Sequence, residues 1–198
     1  MKLMEMIIIW FISGLRMKKM KINLIPMAGL GKRFLDKGFS VPKPLIEIDG
    51  IPMVVKAYRA LPKSDRNILV CRKEHIEEYE LDKVLNKYIS NLVIIDIDHL
   101  TEGQAITCML AKEYIPDNSI LTIGASDNDM TYDNKIYEEL LEDKECDGFV
   151  WTFKNNPSVL QDPKMYGWAK EENEIIRDVL CKIPISKNPM KDHALVGA

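Results

Sequence analysis

Four short apolar runs constrain this chain most: INLIP at residues 22–26, NILVC at 67–71, NLVIIDI at 91–97 and SILTI at 119–123. Each reads as a strand, and the runs at 22–26 and 67–71 as buried ones. Between them lie stretches with helical spacing: Met53, Val54, Ala57, Tyr58 and Leu61; then residues 73–88, with Ile76, Tyr79, Leu81, Val84, Leu85 and Tyr88; then residues 103–114. Parallel strands need long crossovers, usually helical. The alternation predicts a single α/β domain with a Rossmann-like, mostly parallel mixed sheet and helices on both faces.

Local signals divide the rest. Asp49-Gly50 makes a turn after a short strand at residues 45–48, Pro52 suits the first turn of the following helix, and Pro62 stops it. Residues 134–141 add another helix. Beyond Cys146 the character turns to β, with strands expected at 148–153, 165–169 and 174–180 and Asn173 at a hairpin tip. Residues 194–198 read as the start of a further strand.

At 198 residues and 46% hydrophobic content the chain can build one ordinary core. Its 27 basic and 30 acidic residues give a net charge of −3, so no general basic field attracts nucleic acid or an anionic membrane. Any phosphate binding has to be local. Cys71, Cys108, Cys146 and Cys181 form no C-x-x-C pair and have no histidine cluster beside them. That argues against zinc and a disulfide framework, and for reduced thiols in a cytoplasmic protein. His75, His99 and His193 are equally scattered and read as surface or structural residues.

The apolar run MIIIWFISGL at residues 6–15 is about half the length of a spanning helix and lacks a small-x-small cleavage site. No stable membrane span is expected. Residues 1–19 read as an N-terminal extension, with translation beginning at Met17 or Met20, and residues 20–198 as the domain.

The first strand runs directly into Pro26-Met27-Ala28-Gly29-Leu30-Gly31-Lys32-Arg33-Phe34, and Val41-Pro42-Lys43-Pro44-Leu45 follows. Glycines let backbone N–H groups approach phosphate oxygens, and Lys and Arg neutralise charge that amides cannot. The reading is a polyphosphate site. It is not a P-loop, because G-x-x-x-x-G-K-[ST] is absent. A dinucleotide fingerprint needs a small residue where Phe34 stands, which leaves an NAD(P)-binding Rossmann domain as a third reading.

At these residues the chain closely resembles the sugar-phosphate nucleotidyltransferases, or nucleotide-sugar pyrophosphorylases. Their opening signature, (L/P)-x-A-G-x-G-x-R-(F/L) followed by P-K-P-L, is matched here by PMAGLGKRF and PKPL. The resemblance continues through LTEGQAITCMLA at 100–111, LTIGASDND at 121–129 and residues 166–182. It implies a fold of the nucleotide-diphospho-sugar transferase type. It also implies a reaction in which a sugar phosphate or similar phosphomonoester attacks the α-phosphorus of a nucleoside triphosphate and pyrophosphate leaves. Surface polysaccharide synthesis, of capsule or lipopolysaccharide, is the implied setting, and self-association is left open.

By this resemblance the amides near Ala28, Gly29 and Gly31 cradle the nucleotide, Gly103 lets the base lie against the backbone, and Gln104 reads its edge. Arg33 clamps the β- and γ-phosphates, and Lys43 holds the α-phosphate and the incoming phosphate. Asp127, just past a strand end, is the implied catalytic carboxylate and Mg²⁺ ligand, with Asp129 as the second choice. Gly167 and Lys182 fall on the acceptor side.

Two departures stand out. The family's acceptor-side Glu-Lys pair reads Cys181-Lys182 here, so a carboxylate for sugar hydroxyls is missing. A further strand, sugar-contacting residues and a second metal-binding acid are implied downstream of Ala198. The alternative reading is therefore a non-catalytic nucleotide-binding or regulatory module.

Overall fold

The computed structural model describes residues 19–31, 34 and 36–196. Arg33 and the apolar run at 6–15 lie outside the described residues. In chain order, β1 (Lys21–Pro26) leads to a hairpin of β2 (Glu47–Ile48) and β3 (Ile51–Pro52), helix α1 (Met53–Ala60) and β4 (Arg66–Arg72). Helices α2 (Lys73–Tyr79) and α3 (Leu81–Leu85), β5 (Leu92–Ile97), α4 (Gln104–Met109), β6 (Ile120–Ile123) and α5 (Asn134–Glu142) follow. The last part contains β7 (Thr152–Phe153), β8 (Gly167–Glu172), β9 (Ile175–Cys181) and β10 (His193–Leu195).

The four apolar runs form one sheet in the order β5-β4-β1-β6, parallel throughout. Alternate residues of its strands feed two cores. Ile25, Met27, Leu69 and Cys71 pack against Val54 and Val55 of α1 and Leu81 and Leu85 of α3. Ile22, Leu24, Ile68 and Val70 pack on the other face against Ala111 and Cys108, beside α4. Each fully buried Ile or Leu contributes about 1.5–3 kcal/mol, which makes both faces necessary to the sheet. Asn23 and Asn67, paired in register and buried, are satisfied at their side-chain amides by Pro62 O and Ser90 O, each at 2.8 Å.

The antiparallel strands form a separate sheet, β7-β10-β8-β9, so the two strand types are not merged into one mixed sheet. Trp168, fully buried with Val159 and Ala194, anchors it, and its indole N–H donates to Pro163 O at 3.0 Å. Asn173 and Glu174, with φ of 56° and 63°, make the expected tip between β8 and β9.

Four local expectations differ. The helix expected over residues 73–88 is broken at Glu80, whose φ of 49° ends α2 in a left-handed cap. The helix over 103–114 closes at Met109, and a 3-10 turn covers Lys112–Tyr114. Leu45 belongs to a 3-10 turn, Lys43–Leu45, and not to β2. Of the strand expected at 148–153 only β7 pairs, because its partner β10 is three residues long; the Val196 N–H adds one further bond to Trp151 O at 2.9 Å.

Candidate active site

In the strand order β5-β4-β1-β6 the chain leaves β1 on one side and reaches β6 on the other. Such a reversal opens a crevice beyond the carboxyl ends of the two strands, which is where α/β sheets bind ligands. Backbone bonds carry both strands toward it. The Met27 N–H donates to Val70 O at 2.8 Å, and the Gly124 N–H donates to Leu24 O at 3.0 Å.

The crevice is a cavity of about 450 Å³, within the usual range for small-ligand sites. Ala28, Gly29, Gly31 and Lys43 line it from the turn after β1, Gly103 and Gln104 from the start of α4, and Asp127 from the loop after β6. The residues that the sequence assigns to a nucleotide thus converge, Arg33 lying outside the described set. Gly31 is held with φ of +59°, and a Cβ there would stand 3.2 Å from Lys43 Cβ. Its hydrogen is therefore required both by the turn and by the approach of Lys43. The Gly103 position faces open space, with nothing within 4 Å of where a Cβ would be. Hydroxyls tie this wall together: Thr101 Oγ1 and Thr107 Oγ1 lie 2.6 Å apart and each 3.2 Å from Gly103 O, so one hydroxyl donates to the other and the second donates to the carbonyl.

Lys43 is set by its prolines. Pro42 and buried Pro44 fix the start of the 3-10 turn, and the Leu45 N–H closes it on Pro42 O at 2.8 Å. The Lys43 ammonium ion-pairs with the Asp127 carboxylate and lies 5.5 Å from the Phe34 ring centroid. With side-chain exposures of 21% and 33%, the pair is shielded yet open to a ligand. Phe34, which sets the loop apart from a dinucleotide fingerprint, serves here as a platform for this cation.

Lys43 and Asp127 also line a second cavity of about 620 Å³, whose wall includes Asp129, Thr152, Asn156 and Tyr166. The ion pair marks the junction of the two spaces. Gly167 and Lys182 line neither. Gly167 is buried at the start of β8 opposite Cys181, and exposed Lys182, with φ of +61°, donates its backbone N–H to Tyr166 O at 3.0 Å. Tyr166 takes their place at the cavity wall. Sequence reading missed Thr152 and Asn156, which carry no local motif. It also passed over Gly124, where a Cβ would stand 2.7 Å from Leu61 Cδ2.

Among the described residues no group of three or more His, Cys, Asp or Glu stands ready to hold a metal. Mg²⁺ on a triphosphate needs less, since one or two carboxylates complete a shell of water and phosphate oxygens. Asp127 and Asp129, both facing the second cavity, fit that modest demand. No described helix is long and apolar enough to cross a membrane.

No family model matches the chain. Comparison with solved structures shows that it has the Rossmann-like fold of nucleotidyltransferases such as the nucleotide-sugar pyrophosphorylases. A putative glucose-1-phosphate thymidylyltransferase from Bacillus anthracis superposes with a TM-score of 0.67 at 21% identity, over 89% of this chain and 69% of that one. The inositol-1-phosphate CTP transferase from T. maritima gives a TM-score of 0.62 at 16% identity, over 91% and 69%. Among curated proteins, the bifunctional IPC transferase and DIPP synthase of Archaeoglobus fulgidus is 27% identical over 124 residues, 63% of this chain. The match spans about a quarter of that relative, 23% of its length.

Proposed function

We propose that the chain is a nucleotidyltransferase that moves a nucleoside monophosphate from a nucleoside triphosphate to a sugar phosphate or related phosphomonoester, releasing pyrophosphate. One observation carries this reading: Lys43 stands where a glycine-walled cavity meets a second, larger one. A cation that serves both the α-phosphate and an incoming phosphate belongs at such a junction. Arg33, beside the turn in sequence, is the proposed second phosphate cation. When bound, Mg²⁺ would neutralise charge on the phosphate oxygens, and Asp127 is its proposed ligand. Asp127 would hold the metal, and Lys43, which now ion-pairs with Asp127, would hold phosphate. The reading extends to supply of an activated precursor for surface polysaccharide.

The test is pyrophosphate release over a panel of triphosphates and phosphomonoesters. Inositol 1-phosphate with CTP and glucose 1-phosphate with a thymidine triphosphate come first, because proteins named for such reactions share the fold. Release that needs both substrates supports the reading. Triphosphate binding without release over the whole panel would favour a non-catalytic module, and no triphosphate binding by calorimetry would end both readings.

A further inference from the structure

Away from the Lys43 junction, one more side-chain cluster reaches the second cavity. Leu195 pairs with Thr152 and His193 with Ala169, so the alternation of strands puts Thr152, His193 and Glu171 on one face of the antiparallel sheet. That face is opposite the Trp168 core. Thr152 Oγ1 lies 2.8 Å from His193 Nδ1, and His193 Nε2 lies 3.6 Å from Glu171 Oε2. Thr152 itself lines the second cavity beside Asn156 and Tyr166.

We propose that Thr152 binds a hydroxyl of the acceptor and that His193, oriented by Glu171, is a positioning residue that sets which way the Thr152 hydroxyl points. This rests on the reading of the second cavity as the acceptor site. A neutral imidazole has one N–H and one bare nitrogen, and a hydroxyl has one proton and two lone pairs. The Glu171 carboxylate favours the proton on Nε2, so Nδ1 accepts the Thr152 proton and the threonine lone pairs are left for the ligand. The cavity then offers an acceptor to a ligand hydroxyl.

Among the described residues, Glu171 is the charged group that faces His193. Lys170 and Glu172 lie on the other face of β8 and pair with each other at 3.3 Å. β7 carries no charge, Lys191 is exposed in the turn before β10, and Asp192 accepts the Ser186 N–H at 2.8 Å. The ligand class that fits is a hydroxylated phosphomonoester, with its phosphate at Lys43 and a hydroxyl at Thr152.

The test is calorimetric binding of glucose 1-phosphate and inositol 1-phosphate to the full chain loaded with a non-hydrolysable triphosphate, beside turnover of the same pairs, for the wild type, Thr152→Val, His193→Gln and the double variant. Thr152→Val is expected to weaken phosphomonoester binding about 5-fold, with triphosphate affinity within about 2-fold of wild type. Thr152→Ser should restore it. His193→Gln is expected to weaken phosphomonoester binding through Thr152, so its loss should not add to that of Thr152→Val. Phosphomonoester affinity unchanged in Thr152→Val or His193→Gln, losses that add in the double variant, or an equal loss for triphosphate and phosphomonoester, would overturn the proposal. Thr152-dependent binding without turnover would uphold it while sinking the transferase reading, and no phosphomonoester binding at all would sink both.

Discussion

Lys43 and Asp127, 84 residues apart in sequence, form an ion pair between the loops that follow β1 and β6. Both side chains remain partly exposed, and ion pairs of that kind add about 0–1 kcal/mol to stability. Its value therefore lies in position. The two charges meet where the cavities join, and on the proposed function each serves a different group, phosphate for the ammonium and metal for the carboxylate.

Lys43→Met and Asp127→Asn are accordingly expected to fold as the wild type does, with stability changed by no more than about 1 kcal/mol. Removal of a cation aimed at developing phosphate charge costs on the order of 10²–10³ in turnover. Thermal melts beside pyrophosphate-release rates separate the two effects. A collapse in melting temperature that matches the loss of rate would make the pair structural instead.

Gly31→Ala meets two obstacles at once, a φ of +59° and the Lys43 Cβ at 3.2 Å. The left-handed conformation alone costs about 1–2 kcal/mol for a side chain bearing Cβ. The substitution should lower stability by about that much in urea titrations and also weaken triphosphate binding, because Lys43 has to move. Gly29→Ala, with open space around its Cβ position, should leave stability nearly unchanged.

His75 should make the fold sensitive to mild acid. Burial pushes its pKa below the ordinary 6.5, against the opposing pull of Glu74, and its Nδ1 is buried without a hydrogen-bond partner. Above 6.5 the ring is neutral in both states and stability is intact. As pH falls through that value the unfolded chain takes up a proton that the folded chain resists, so stability drops until the lower folded pKa is passed. Unfolding free energies measured from pH 8 to pH 5 should fall more steeply for the wild type than for His75→Leu. Parallel curves would remove His75 from the account.

The central sheet was legible because its inner strands β1 and β4 are buried on both faces and carry largely apolar runs, Ile22 to Pro26 and Asn67 to Cys71, whereas the edge strand β6 carries such a run with Leu121 and Ile123 exposed. The first cavity was legible for a related reason. Gly31 and Asp127 follow the ends of β1 and β6 closely, and Lys43 stands between two prolines that fix its turn, so local sequence and strand order together place them. The wall of the second cavity offered no such signal. Thr152 and His193 lie 41 residues apart on two short strands, and only antiparallel register brings them together. Lys182 lies beyond the end of β9, where its backbone N–H donates to Tyr166 O, and it lines neither cavity. The break at Glu80 was also hidden, since its left-handed conformation has no Gly or Asn to announce it.

The most direct measurement follows an α-³²P-labelled triphosphate incubated with the chain, Mg²⁺ and a phosphomonoester. Label should move into a diphosphate-linked product only when the phosphomonoester is present, and Lys43→Met should abolish the transfer. Label that stays in the triphosphate across the acceptor panel, or appears only as free nucleoside monophosphate, would contradict the transferase reading.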